Sequence, residues 1–437
     1  MNDDTRMLLA VATSTLNPAI ILPFALMLAA IAVMPFIHLH WWERNYPKVA
    51  LGLGAITVLY YCFVLNNAGR MLHAGHEYAS FIALIGSLFV VAGGIHIDVQ
   101  GEARPPTNCL FLLVGALLAN VIGTTGASML LIRPWIRMNK YRITGFHIVF
   151  FIFIVSNTGG CLTPIGDPPL FLGYLKGVPF WWVLQKCWIA WAIMVAGLIS
   201  VFFVLDRRNF LRAPTEVQEK ETKETSWKIE GWQNGIFLLI ILAAVFVKKP
   251  KGLSEALMIA AGACSWYGTP ARVRLANKFD FRPIREVAWL FLGIFTTMVP
   301  ALEYLERNTG RLGLDSEMKF FWFTGLLSGA LDNAPTYLTC LAAAMARSGF
   351  VINNPEHVTR FVDDHGHELI AISLGAVFFG AMSYIGNGPN FMVKSIAEQA
   401  KVKTPDFFAY ILRYAFPILL PLLLLIAILF FSRWRLF

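Results

Sequence analysis

Hydrophobic residues run along this chain in blocks of roughly 17–25, the length that crosses the hydrocarbon core of a bilayer as a helix. Such blocks lie near 18–38, 49–66, 79–96, 145–175, 180–205, 232–247, 253–268, 286–301, 368–399 and 406–431. Two further apolar stretches, 109–138 and 318–347, are interrupted at their centres by Gly123-Thr124-Thr125-Gly126 and Asp332-Asn333-Ala334-Pro335. A stretch that enters, breaks and leaves on one side is a re-entrant hairpin. Its unwound backbone must face protein or a watery cavity, since lipid cannot satisfy free N–H and C=O groups. The pattern predicts an all-α polytopic membrane protein with about ten spanning helices and two re-entrant hairpins.

Composition agrees with that reading. Of the 437 residues, 57% are hydrophobic and 14% charged, with a mean hydropathy of +0.60. Soluble domains carry about 25% charged residues, so a water-soluble fold would have too little polar surface. The 35 Phe and 13 Trp exclude a disordered chain. Six scattered cysteines inside apolar runs, with no CxxC, exclude a disulfide scaffold and a thiolate metal site. The N-terminus opens on Asn2, Asp3 and Asp4, and its apolar stretch runs to about Phe36, unlike a cleaved signal peptide.

The net charge of +9 reads as topology, with no nucleic-acid partner. Placing 206–231 in the cytoplasm puts twenty Lys and Arg on that side, among them Arg44, Arg137, Arg208, Lys220, Arg272 and Lys403. Thirteen, among them Arg6, Arg70, Lys176, Lys248, Arg311 and Arg433, fall on the other. Loops rich in Lys and Arg stay inside, so both termini are expected outside. The stretch 206–231 has the composition of a cytoplasmic linker and divides the chain into membrane repeats 1–205 and 232–437.

The two halves repeat each other. Thr163-Pro164-Ile165-Gly166-Asp167-Pro168-Pro169 aligns with Ser383-Tyr384-Ile385-Gly386-Asn387-Gly388-Pro389, and Gly123-Thr124-Thr125 upstream aligns with Asp332-Asn333-Ala334. Five spans separate the hairpins, so they are expected to enter from opposite faces as an inverted-topology repeat. Discontinuous helices meeting near the midplane are the usual binding site of secondary transporters.

A helix interrupted in mid-membrane frees groups with a use. Unwound carbonyls and half-helix C-termini suit Na⁺, and half-helix N-termini suit an anion. The side chains at the breaks are small oxygen donors: Thr124, Thr125, Ser156, Asn157, Thr158, Thr163, Asn333, Thr336, Ser383, Asn387 and Asn390. Oxygen ligands fit hard cations, and no transition-metal set is present in the sequence. Asp332, at the second hairpin tip, and Asp167, in the first helix break, are the two carboxylates at membrane depth. Intramembrane ionisable groups are functional candidates, and either carboxylate could trade a proton for Na⁺. The alternative is that each only caps a half-helix. That alternative carries more weight for Asp167, because Pro168 follows it and an Asp-Pro step often fixes a turn.

Other groups read as ordinary surface. His96, Asp98, Glu303 and Glu306 end spans at the water interface, although a proton relay would also use such positions. Asp363, Asp364, His365, His367 and Glu368 resemble a metal site in composition but read as a solvated loop. His38 and His40 beside Trp41 and Trp42 mark an interface. No nucleophile-base pair and no HExxH motif accompanies the breaks, so no enzymatic activity is expected.

At these motifs the chain resembles the ion transporter superfamily, which includes the D-type bacterial sodium/proton antiporters and the citrate and dicarboxylate carriers. Ser156-Asn157-Thr158-Gly159-Gly160 with Thr163 to Pro169 is similar to the first broken helix of that superfamily. Leu331-Asp332-Asn333-Ala334-Pro335 is similar to its second hairpin, and Ile385-Gly386-Asn387-Gly388-Pro389-Asn390 to its second broken helix. The resemblance implies a homodimer in the bacterial inner membrane, with a transport part that slides across a scaffold like an elevator. It also implies Na⁺ as transported or coupling ion and no other cofactor. Na⁺/H⁺ exchange through Asp332 and Asp167 is the leading expectation, and Na⁺- or H⁺-coupled transport of citrate or a related organic anion is the alternative. The first hairpin departs from the antiporter pattern. Thr124-Thr125 stands where an Asp-Asn pair is usual, which removes a titratable group and leaves room for a carboxylate substrate.

Overall fold

The computed structural model describes residues 18–100, 103–215, 226–247, 249–307 and 313–432. Expectations for Arg6, Lys220, Lys248, Arg311, Arg433 and both chain ends therefore lie outside the described residues, as do the side chains of Asp98 and Glu306.

The chain is an all-α polytopic membrane protein. Its first helices are α1 (Leu22–Ile37), α2 (Leu39–Leu59) and α3 (Ala68–Gly93). Strand β1 (His96–Gln100) follows, then α4 (Pro105–Met138), α5 (Gly145–Ile154), α6 (Pro168–Lys176) and α7 (Trp182–Arg212). Strand β2 (Ser226–Glu230) leads to α8 (Asn234–Val245), α9 (Leu253–Gly268), α10 (Ala271–Ala276) and α11 (Arg282–Arg307). The remainder is α12 (Glu317–Ala330), α13 (Asn333–Arg347), α14 (Pro355–Asp364), α15 (Gly366–Phe379), α16 (Gly388–Gln399) and α17 (Phe407–Phe431). Among the described residues eight helices are long and apolar enough to cross a membrane, and nine if the bent pair of α14 and the helix that follows is one span.

Large apolar side chains cover the outside. Phe63, Leu239, Phe408 and Leu412 are all more than 60% exposed. Patches of this extent are disfavoured in water and are at home against lipid. Inside, α5 is apolar on every side and buried on every side, from Ile148 to Ile154, as a helix without a polar face must be.

Two regions differ from the sequence expectation. The windows 232–247 and 253–268 yield helices of 12 and 16 residues, about 18 and 24 Å long at 1.5 Å per residue, short of a hydrocarbon core of about 30 Å. Gly231, at φ +79°, turns the chain into α8, and Gly252, at φ +87°, turns it into α9. Asn234 fixes the first turn by donating to Gly94 O at 2.8 Å and Gly231 O at 3.0 Å. The second difference is the stretch 206–231. Helix α7 continues into it as far as Arg212, and β2 pairs antiparallel with β1, from His96 opposite Glu230 to Gln100 opposite Ser226. A ribbon thus fastens the middle of the chain to the end of α3.

The helices pack as two groups. In one, α1 and α11 lie on α2, and α9 and α11 on α3, with α8 on α9. In the other, α4 packs on α7 and α16, α12 and α13 pack on α15, α13 packs on α6, and α17 on α7. The groups meet where α3 lies on α4 and α11 lies on α13.

Candidate functional site

Four helical segments start at one point, each for a local reason. Gly123, at φ +76°, breaks α4 into two arms, and the second starts at Thr124. Pro168 opens α6 after Asp167, and Pro389 sits in the first turn of α16 after Asn387. Proline is favoured there because the first N–H groups have no helical partner. The second hairpin breaks at Leu331, whose extended backbone (φ −125°) leads into α13.

The starts converge on a single carboxylate. Asp167, fully buried, accepts from Thr124 Oγ1 at 2.9 Å, Asn333 Nδ2 at 2.7 Å and Asn387 Nδ2 at 2.9 Å. Its side chain makes no bond to its own helix start. A carboxylate withdrawn from water is tolerable only with such donors. The helix starts also aim their positive dipole ends at it.

Asp332, the carboxylate favoured by sequence, does something else. It accepts from Ala334 N at 3.0 Å and caps α13, which is the capping alternative. Of the two carboxylates, the one before a proline is the one that gathers side-chain donors from other segments.

The remaining candidates divide by what they touch. Asn157 donates to Asn390 Oδ1 at 2.7 Å and to Ile152 O at 2.8 Å, and accepts from Asn387 at 3.2 Å. Ser156 shares a hydrogen bond of 2.7 Å with Ser128, and its carbonyl accepts from Asn387 at 3.1 Å. Asn390 donates to Gly380 O and Ser383 O at 2.8 and 2.9 Å, and with Asn157 on its oxygen it is satisfied by protein. Thr336 bonds Asp332 O one turn back at 2.9 Å. Thr125 lines a cavity between the first hairpin tip and α3, with Thr124, Ile165, Leu84, Leu88 and Phe89. Of the candidate residues, two carry a buried oxygen without a hydrogen-bond partner: Thr158 Oγ1 and Asn333 Oδ1.

Corresponding loops in the two halves make corresponding bonds. Thr163 Oγ1 donates to Asn120 O at 2.6 Å and accepts from Gly166 N at 3.1 Å. Ser383 Oγ donates to Gly329 O at 2.7 Å and accepts from Gly386 N at 3.1 Å. Thr163 and Ser383 therefore brace backbone. Each loop also brings two glycines together, Gly160 with Gly166 and Gly380 with Gly386, so closely that a Cβ would strike the opposing carbonyl.

Sequence reasoning missed Asn120 and Ser128. Asn120 binds Gly159 O at 2.6 Å and Leu162 N at 2.8 Å, clamping the first break from the hairpin arm. A lone amide in an apolar arm was the available signal. It also missed three buried ionic groups. Asp206 is fully buried and joins Arg142, His147 Nε2 at 3.0 Å and Asn108 Nδ2 at 2.8 Å. Glu77 pairs with Lys176 at 2.7 Å. Glu368, expected in a solvated loop, is buried and paired with Arg347. Glu303 accepts from Arg70 Nε and Tyr61, each at 2.8 Å, and His96 Nδ1 lies 2.7 Å from Asn277 Oδ1. Among the described residues, no group of three His, Cys, Asp or Glu is placed to hold a metal ion.

A family model described as "Putative citrate transport" matches residues 13–431. No curated protein sequence matches the chain.

Proposed function

The chain belongs to that family of putative citrate transport proteins, and from this premise we propose that it carries citrate or a related organic anion across a membrane, coupled to Na⁺ or H⁺. The observation that carries the chemistry is Asp167, a buried carboxylate held by donors from both halves of the chain. Helix starts that surround it favour negative charge. No Lys or Arg stands among its hydrogen-bond partners. An organic anion arriving beside Asp167 would add charge to charge, so a cation or proton must come with it. Thr158 Oγ1 and Asn333 Oδ1, buried without partners, are oxygens suited to a hard cation such as Na⁺. On this reading Asp167, Asn333, Thr158 and Thr124 hold the coupling ion, and neutral amides and hydroxyls near Asn387 receive the carboxylate.

The transport step is proposed to be a slide of the group containing α4 to α7 and α12 to α17 across the other, in an inverted-repeat homodimer of the bacterial inner membrane. The reading makes the protein a carrier with no enzymatic step. Labelled-citrate uptake into proteoliposomes tests it. Uptake should follow an imposed Na⁺ or pH gradient, and its absence under both gradients overturns the proposal.

Na⁺/H⁺ exchange is the second reading, supported by the same carboxylate. A pH dye inside the vesicles separates the two. Na⁺-driven proton movement without citrate favours exchange, and movement only with citrate favours coupled uptake.

A further inference from the structure

Where the two helix groups meet, a buried ion pair bridges them. Lys176, the last residue of α6, places Nζ 2.7 and 2.9 Å from the two carboxylate oxygens of Glu77 on α3. Both side chains are more than 90% buried. The same ammonium donates to Asn353 Oδ1 at 2.9 Å, and His73 Nε2, one turn before Glu77, stands 3.2 Å from its carboxylate. Beside the pair is a cavity walled by Arg70 and Ala74 of α3, by Met298 and Leu302 of α11, and by Asn353. Arg70 is engaged with Glu303. Along the same seam Tyr174 OH donates to Val245 O at 2.8 Å, and Phe180 meets Phe246 with ring centroids 4.6 Å apart.

The position of the pair matters more than its strength. Lys176 ends the nine-residue half-helix that Asp167 begins, about 13 Å along its axis, so lysine and site move as one rigid piece. Glu77 belongs to the other group. Any displacement that carries Asp167 along α3 must first separate lysine from glutamate, and a buried charge parted from its partner is strongly disfavoured. The Asp206 cluster offers a contrast. Its partners Arg142, His147 and Asn108 lie on, or beside the start of, α4 and α5 in the same group as α7, so it travels intact and opposes no such motion.

We propose that Glu77 and Lys176 form a releasable latch that holds the two helix groups in the arrangement seen here and limits the rate of their relative movement. The latch rests on the sliding reading above. It is tested on purified full-length protein carrying Ala74→Cys, a buried position in the wall of the same cavity, with the six native cysteines replaced by alanine. Labelling by a soluble maleimide reports how often the seam opens. Glu77→Gln and Lys176→Gln should each speed labelling by about tenfold or more, and the exchanged pair, Glu77→Lys with Lys176→Glu, should bring it back towards the starting rate. Unchanged labelling in both single variants overturns the latch. Fast labelling that persists in the exchanged pair overturns it too, because lost packing would then be the cause. The measurement needs no substrate, so failed citrate uptake removes the functional reading, whereas unchanged labelling removes the latch.

Discussion

The two helix breaks are made from the same parts and differ in charge. Each has a hydroxyl residue bracing the hairpin backbone, Thr163 in one and Ser383 in the other, and each has a pair of opposed glycines. At the position after the second glycine, the first break carries Asp167 and the second Asn387. The amide donates to the acid at 2.9 Å. A shared scaffold thus carries one acidic centre, and the second half contributes donors to it. Two acids at this separation would repel, and two amides would leave the paired breaks without a charge.

The sharpest way to break this comparison is to move the charge. Asp167→Asn keeps the volume, removes the acid, and should lower gradient-driven citrate uptake by about 100-fold or more. Combining it with Asn387→Asp restores one acid on the other side. Thr124 and Asn333 still point at position 167, so the exchanged protein should recover less than about a tenth of the wild-type rate. Full recovery in proteoliposomes would show that the two breaks are equivalent after all.

The next test is steric. A Cβ on Gly160 would lie 2.6 Å from Gly166 O and 2.6 Å from Thr124 Cγ2, whereas one on Gly380 would lie 2.9 Å from Asn157 Oδ1, the end of a side chain. Both substitutions to Ala overpack the loop at a cost of about 1–3 kcal/mol, and Gly160→Ala should be the worse. Thermal unfolding in detergent ranks them, and the reverse order would mean that the second loop is the more rigid.

The smallest effects separate bracing from binding. Asn390→Ala strands Gly380 O and Ser383 O, takes one of two acceptors from Asn157 Nδ2, and should cost about 1–3 kcal/mol of stability with little change in KM. Asn333→Ala removes a donor to Asp167 and should raise KM about tenfold with a smaller loss of stability. Paired melting and uptake measurements check the split.

The sequence carries much of this because helix-breaking is local chemistry. Gly123, Pro168 and Pro389 disrupt or start helices wherever they stand, so the breaks were legible without coordinates. Which carboxylate turns inward was not, because it depends on three donors from segments that the sequence separates widely. Asp167 beside Pro168 reads more readily as a turn residue, while Asp332 at a hairpin tip reads as an ion-exchanging group. Glu77 and Lys176 are 99 residues apart, and no local pattern joins them. The ribbon did leave a trace. His-Ile-Asp-Val-Gln and Ser-Trp-Lys-Ile-Glu both alternate polar and apolar, the strand period, but windows long enough to find spanning helices pass over five residues.

That ribbon changes what the covalent chain must do at its middle. Residues 96–100 hold 226–230 by a backbone ladder, and Asp167 holds Asn333 and Asn387 from the far half. Severing the peptide backbone between 216 and 225 would leave both fastenings in place. A chain cut there should therefore stay together as two interlocking pieces held by these seams.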